Sequence, residues 1–151
     1  MPDSIGNMMN LQHMELFGFR RLERLPDCFN NLTNLQHIDL SRSRILERLP
    51  DSFGNLTNLH HVMLSGCQNL WMLLDSFGNL ADLQQVDLCH CRNLEEMPSI
   101  KTLVSLEELQ VLFCVKLKSI PDLAQLTKLK LLNVNGCFAL EELDGVEHCT
   151  S

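Results

Sequence analysis

No stretch of this sequence approaches the roughly 20 consecutive apolar residues that a membrane span requires. The opening, MPDSIGNMMN, lacks a basic segment followed by an apolar one, so neither a spanning helix nor a secretory leader is expected. Positive charge is scarce. Twelve Lys and Arg stand against 19 Asp and Glu, and the net charge of −7 argues against a surface for nucleic-acid phosphates. No CxxC pair occurs among the seven cysteines. The closest two, Cys89 and Cys91, would face opposite sides of a strand. An odd, unpaired set points to reduced thiols and a cytosolic (or nuclear) compartment. A GxxxxGK[ST] phosphate loop is also missing, which removes the usual nucleotide cradle.

What the chain has instead is repetition. LPDCFNNLTNLQHIDLSRS, from Leu25, returns as LPDSFGNLTNLHHVMLSGC, from Leu49. Rows begin near Pro2, Pro26, Pro50, Leu74, Pro98 and Pro121, at spacings of 24, 24, 24, 24 and 23 residues, and a partial row opens at Asp144. A fixed period of this size marks a solenoid, in which no unit buries its apolar face alone. Position 13 of each row is Met14, Ile38, Val62, Val86, Leu109 and Leu132; position 15 is Leu16, Leu40, Leu64, Leu88, Val111 and Val134. This alternation predicts a short strand with both columns inward. Each strand returns after one coil in the same direction, so the strands stack in parallel.

The other half of the coil, PDSFGNLTNL, opens on proline with Asp and Ser beside it, which suits a short helical turn. Position 4 (Ile5, Phe29, Phe53, Phe77) and position 7 (Met8, Leu32, Leu56, Leu80) lie three apart, so both are expected in the core, with the phenylalanines stacked as a convex spine. Rows five and six lack this phenylalanine and are one residue shorter, which predicts tighter convex turns. Position 18 collects Cys67, Cys91, Cys114 and Cys137. A zinc or disulfide framework is one reading. The simpler one is a small, weakly donating side chain that fills the turn and bonds a neighbouring coil.

LTNLQHIDLSRSRILERLPDCF fits the pattern LxxLxLxxCxxLxxLP and resembles the leucine-rich repeat. The phrases LSGCQNL, LCHCRNLEEMP, VNGCFALEEL and SLEELQVLFCVKLKSIPDL resemble in particular the cytosolic repeats of plant intracellular disease-resistance proteins, the class with a TIR domain and a nucleotide-binding switch. Extracellular plant receptors typically carry LxGxIP where this chain reads LERLP or LEEMP. The resemblance implies an α/β leucine-rich-repeat solenoid (horseshoe) over residues 1–151. Its concave sheet is parallel, with short helical or 3-10 turns on the convex side. It implies non-enzymatic recognition of a protein: a pathogen effector, a guarded host protein or the receptor's own nucleotide-binding domain. A substrate adaptor or scaffold in ubiquitin ligation is the alternative, although no F-box segment is present. No cofactor, metal site, nucleic acid or membrane is implied. The chain starts within a coil and stops inside row seven, so exposed apolar edges and end-to-end association are expected.

Variable letters flanking the inward columns face outward on the concave side. The predicted protein-binding residues are His13, His37, His61, Gln85, Glu108 and Leu131 in position 12, and Glu15, Asp39, Met63, Asp87, Gln110 and Asn133 in position 14. Leu112 of position 16 joins them, and Leu131 and Leu112 supply an apolar anchor. The histidine column beside Glu15 and Asp39 suggests a divalent metal or a pH response. Neighbouring strands hold such rings side by side rather than converging them, so solvated histidines are the simpler reading. Cys89, expected exposed near Asp87 and His61, invites a cysteine-enzyme reading, but an open sheet offers no oxyanion site. On one flank Arg20, Arg21, Arg42, Arg44, Arg92 and Lys116 precede Glu23, Glu47, Glu95, Glu96, Glu141 and Glu142. This is either a screened, solvated edge or a dock for a charged partner. Trp71 replaces a glutamate there, as packing or as an interface anchor.

Overall fold

Each coil is carried by bonds from one inward residue to the inward residue three positions earlier. In the second coil Phe29 donates to Pro26 (3.1 Å), Leu32 to Phe29 (3.0 Å) and Leu35 to Leu32 (2.9 Å) on the convex side. After the strand, Ser43 donates to Leu40 and Leu46 to Ser43, both at 3.1 Å. A step of three matches the 3-10 geometry, so every third side chain falls on the same inner line. All of these residues except Pro26 are buried.

The structure is a computed structural model and describes residues 3–143. Its strands are β1 (His13–Glu15), β2 (His37–Asp39), β3 (His61–Met63), β4 (Gln85–Asp87), β5 (Glu108–Gln110), β6 (Ser119–Ile120), β7 (Leu131–Asn133) and β8 (Glu142–Leu143). The concave sheet runs β1-β2-β3-β4-β5-β7, parallel throughout. His13 faces His37, His37 faces His61, His61 faces Gln85, Gln85 faces Glu108 and Glu108 faces Leu131. The columns read from the sequence are therefore the columns of the sheet. Leu40, Leu64 and Leu88 are fully buried consecutive rungs, linked because each donates its N–H to the next coil, at Met63, Asp87 and Gln110.

Convex turns occupy Asp3–Asn7, Asp27–Asn31, Asp51–Asn55 and Asp75–Asn79. All are 3-10; no α-helix forms among the described residues. Phe29, Phe53 and Phe77 are buried, and the Phe53 and Phe77 rings stack in parallel at 6.3 Å, as the spine predicts. Met8 departs from its column: expected in the core, it is 56% exposed. In coils five and six the 3-10 segment gives way to single turns, in which Leu103 donates to Ile100 and Leu126 to Leu123, both at 2.9 Å.

The sequence reading did not foresee a second ladder on the flank. Glu47 donates to Glu23 (3.3 Å), Trp71 to Glu47 (3.3 Å), Glu95 to Trp71 (3.1 Å), Lys118 to Glu95 (3.1 Å) and Glu141 to Lys118 (3.2 Å). At its end β6 and β8 pair in parallel. The partial row expected from Asp144, and Cys149 within it, lie outside the described residues. No helix among those residues is long and apolar enough to cross a membrane.

Candidate protein-binding face

Strand length sets what the concave face shows. Each main strand is three residues long because the next residues turn away. Position 17 is left-handed in all six coils: Gly18 (φ 69°), Arg42 (60°), Gly66 (73°), His90 (59°), Phe113 (56°) and Gly136 (74°). Glycine accepts this region readily, while Arg, His and Phe adopt it against steric cost. The turn into it is tied by position 14. Asp39 Oδ1 accepts from Ser41 N (2.8 Å), Asp87 Oδ1 from Cys89 N (2.8 Å) and Asn133 Oδ1 from Asn135 N (3.2 Å). These are Asx turns. Three of the predicted contact residues thus also build the coil.

The turn corrects the reading of Cys89. Expected on the open face, it is only 7% exposed, and Ser41 in the same column is 8% exposed. The backbone bond to Asp87 pulls position 16 inward. Burial, with the hydrogen bond and the charge of Asp87 adding to it, pushes the Cys89 thiol up to about 12. A nucleophilic cysteine needs its pKa lowered, so this thiol is set for inertness. The cysteine column behaves as its simpler reading predicts. Sγ of Cys67 donates to Leu40 O (3.2 Å), Cys91 to Leu64 O (3.2 Å), Cys114 to Leu88 O (3.0 Å) and Cys137 to Val111 O (3.0 Å). Burial also raises Cys67 and Cys114 to about 12.

The remaining predicted residues stand in register on the open face, except Leu112, which follows the end of β5. His13, Glu15 and Leu131 are exposed, while His37, His61, Met63, Gln85, Glu108, Gln110 and Leu112 are half-buried, like Asp39, Asp87 and Asn133. Gln85 Nε2 donates to Glu108 Oε2 at 3.1 Å, along the column. The histidine rings lie 6.0 Å (His13–His37) and 5.7 Å (His37–His61) apart, tilted at 33° and 57°. No group of three or more His, Cys, Asp or Glu among the described residues is arranged to hold a metal ion. Burial, then the imidazoles of His37, His60 and His13, holds His61 below its ordinary pKa, with Glu108 opposing.

His60 escaped the sequence reading. Alternation would send it to the far side of the strand from His61, yet its ring meets His61 edge-on at 6.3 Å. It precedes the strand, where both His60 N and His61 N donate to Gln36 O at 2.8 and 3.0 Å, so the pleat has not begun. A second unforeseen pair is His90 with Phe113, stacked at 5.3 Å; both occupy the left-handed column.

A parallel ladder of short strands, convex 3-10 turns and inward leucines at fixed positions can be compared with known families. Residues 2–115 match the family described as a leucine-rich repeat region. The chain belongs to the leucine-rich repeat family. No curated protein sequence matches it. Among solved structures, this leucine-rich repeat chain is similar to the leucine-rich repeat domain of the type III effector XopL, at 23% identity and TM-score 0.50, with 97% of this chain and 68% of that one covered. It is also similar to PEPR1 in its AtPEP1 structure, at 22% identity and TM-score 0.59, covering 87% of this chain and 22% of that one. A third is the Arabidopsis receptor kinase HAESA, solved with the peptide hormone IDA and the co-receptor SERK1, at 21% identity and TM-score 0.52, covering 88% and 27%. At these identities the likeness is one of fold. The chain spans about a quarter of the PEPR1 and HAESA chains.

Proposed function

We propose that this leucine-rich repeat chain is a non-enzymatic protein-recognition module that meets its partner with the concave face. The supporting observation is the register. Six parallel strands set unlike side chains from His13 to Leu131 in two straight columns on an open sheet. Strands about 4.8 Å apart make that strip roughly 25 Å long, wide enough for a protein segment and too open to exclude water for catalysis.

The finer reading follows the resemblance to plant intracellular disease-resistance proteins. In it the chain is the effector-sensing and autoinhibitory part of a cytosolic or nuclear immune receptor, and its partner is a pathogen effector, a guarded host protein or the receptor's nucleotide-binding domain. The thiol-to-carbonyl bonds of Cys67, Cys91 and Cys114 support a reducing compartment. The test is a pull-down against the switch domain of a related receptor and against pathogen effectors. His61→Ala with Met63→Ala and Leu131→Ala is expected to weaken capture by at least about tenfold, with melting unchanged. Convex Thr57→Ala and Lys101→Ala are expected to leave it intact. Loss that maps to the convex pair instead rejects the reading.

A further inference from the structure

Six of the seven arginines in the chain, Arg20, Arg21, Arg24, Arg42, Arg44 and Arg48, belong to the first two coils. All six are exposed, and all lie on the flank between the concave strand and the convex turn. Equivalent positions of these coils are 24 residues apart, as His13 against His37 and the Glu47-to-Glu23 backbone bond require. Arg20 therefore neighbours Arg44 on the next rung, and Arg24 neighbours Arg48. Like charges on adjacent rungs are destabilising. The ion pairs found among the described residues, Lys118–Glu95 (3.0 Å) and Lys130–Glu107 (2.7 Å), lie in later coils; none of the six arginines has one. In a chain of net charge −7, a folding requirement would distribute these charges among the carboxylates instead.

Apolar groups sit inside the same patch. The Arg42 guanidinium lies 5.1 Å over the Phe17 ring, and Phe17 and Phe19 are 59% and 44% exposed. Along the same flank a shallow, mainly polar groove of about 620 Å³ is lined by Arg21, Glu23, Arg24 and Asp27 with Pro26. Its own charges balance, so it suits an uncharged side chain or an amide, while the arginines around it face outward for anions. The flank of the third coil carries no charge and ends the patch with exposed Trp71.

We propose that the arginine flank of the first two coils is a second docking surface, separate from the concave face, for a short acidic segment of a partner protein that carries one aromatic or aliphatic anchor. Arginine forks match carboxylate geometry in pairs, and the exposed Phe17 and Phe19 rings take the anchor. The patch is two coils wide, about 10 Å, close to one Debye length. An extended polyanion or an anionic bilayer would also meet the acidic remainder of the chain and be repelled; a short segment meets the patch alone.

The test uses the full chain and a fluorescein-labelled peptide of about a dozen residues, rich in glutamate with one tryptophan, read by anisotropy. Binding is expected, with a loss of about tenfold for the Arg24→Glu/Arg48→Glu pair and a similar loss on raising salt from about 50 to about 200 mM. Arg20→Gln/Arg44→Gln, which removes charge without reversing it, is expected to weaken binding in the same direction with melting unchanged or raised, since it relieves the like-charge repulsion. Met63→Ala/Leu131→Ala on the concave face is expected to leave it unaltered. The proposal is overturned if both arginine pairs bind like the parent, if a lysine-for-glutamate peptide binds equally, or if duplex DNA or phosphatidylserine vesicles bind more tightly than the peptide.

Discussion

Position 18 shows how far one atom matters. In coils three to six its cysteine reaches back to a carbonyl of the preceding coil, 26 or 27 residues earlier. In coil two the residue is Ser43, fully buried, and its Oγ has no partner. A C–O bond is shorter than a C–S bond, and the hydroxyl falls short of the Leu16 carbonyl that the column designates. Ser43→Cys is therefore expected to raise stability by about 1 kcal/mol, read as a later urea midpoint; an earlier midpoint contradicts it. His61 gives a pH dependence. Its pKa in the folded chain lies below the ordinary 6.5, so the unfolded chain binds the proton more readily. Its contribution is fully present above pH 6.5 and is lost as pH falls through the folded value. The melting temperature should fall between about pH 7.5 and about pH 5, and fall less in His61→Gln. Gln85 already occupies this column one coil on, so the fold accepts the replacement.

At the scale of the element, the convex side needs glycine for a packing reason. A Cβ on Gly54 would collide with the Ser76 carbonyl, and one on Gly78 would come within 2.9 Å of the Ser99 oxygen. Adjacent 3-10 turns therefore approach through bare backbone. Gly54→Ala is expected to cost about 1–3 kcal/mol, measured by chemical denaturation; an unchanged midpoint would mean that the turns can separate freely. Side chains stitch the same face, as Asn34 Nδ2 donates to Met9 O (2.8 Å), Asn58 Nδ2 to Thr33 O (2.6 Å) and Thr102 Oγ1 to Gly78 O (2.6 Å). The NLT phrase shared by Asn31 and Asn55 was legible as repetition. Asn34 and Asn58 belong to the TN dipeptide that overlaps the end of this phrase and Thr102 to KTLV, and the acceptors of all three lie in the preceding coil, which no local pattern names.

Across the whole molecule, each coil contacts only its neighbours, and burial deepens toward the middle. Leu40, Leu64, Leu88 and Val111 are 0% exposed, whereas Leu132, Val134 and Leu140 of the last described coil are half-buried. Leu64→Ala is expected to cost about 2–5 kcal/mol, and Leu132→Ala distinctly less, because its side chain is only half-buried and has less apolar contact to lose. Equal losses in urea unfolding would contradict this gradient. Surface charge is graded too. The arginines of the first two coils and the Lys118–Glu95 pair of the later ones divide one flank into a basic end and a neutralised end, a contrast visible only once residues 24 apart are known to be neighbours.

The sequence by itself determined the period, the inward columns and the pairing register. These follow from repetition and alternation, since one buried side of a two-residue pleat permits a single alignment. It offered a turn-filling cysteine column as the simpler of two readings, and the bonds to the preceding coil's carbonyls bear that reading out. The tertiary structure alone decided the burial of Cys89, the Asx turns of Asp39 and Asp87, the left-handed Arg42, His90 and Phe113, the second ladder through Trp71, and the nearness of His60 to His61. Each of these depends on how the chain leaves the strand and on which atoms the next coil presents. That information arises from contact between coils, and the letters of any one coil do not contain it.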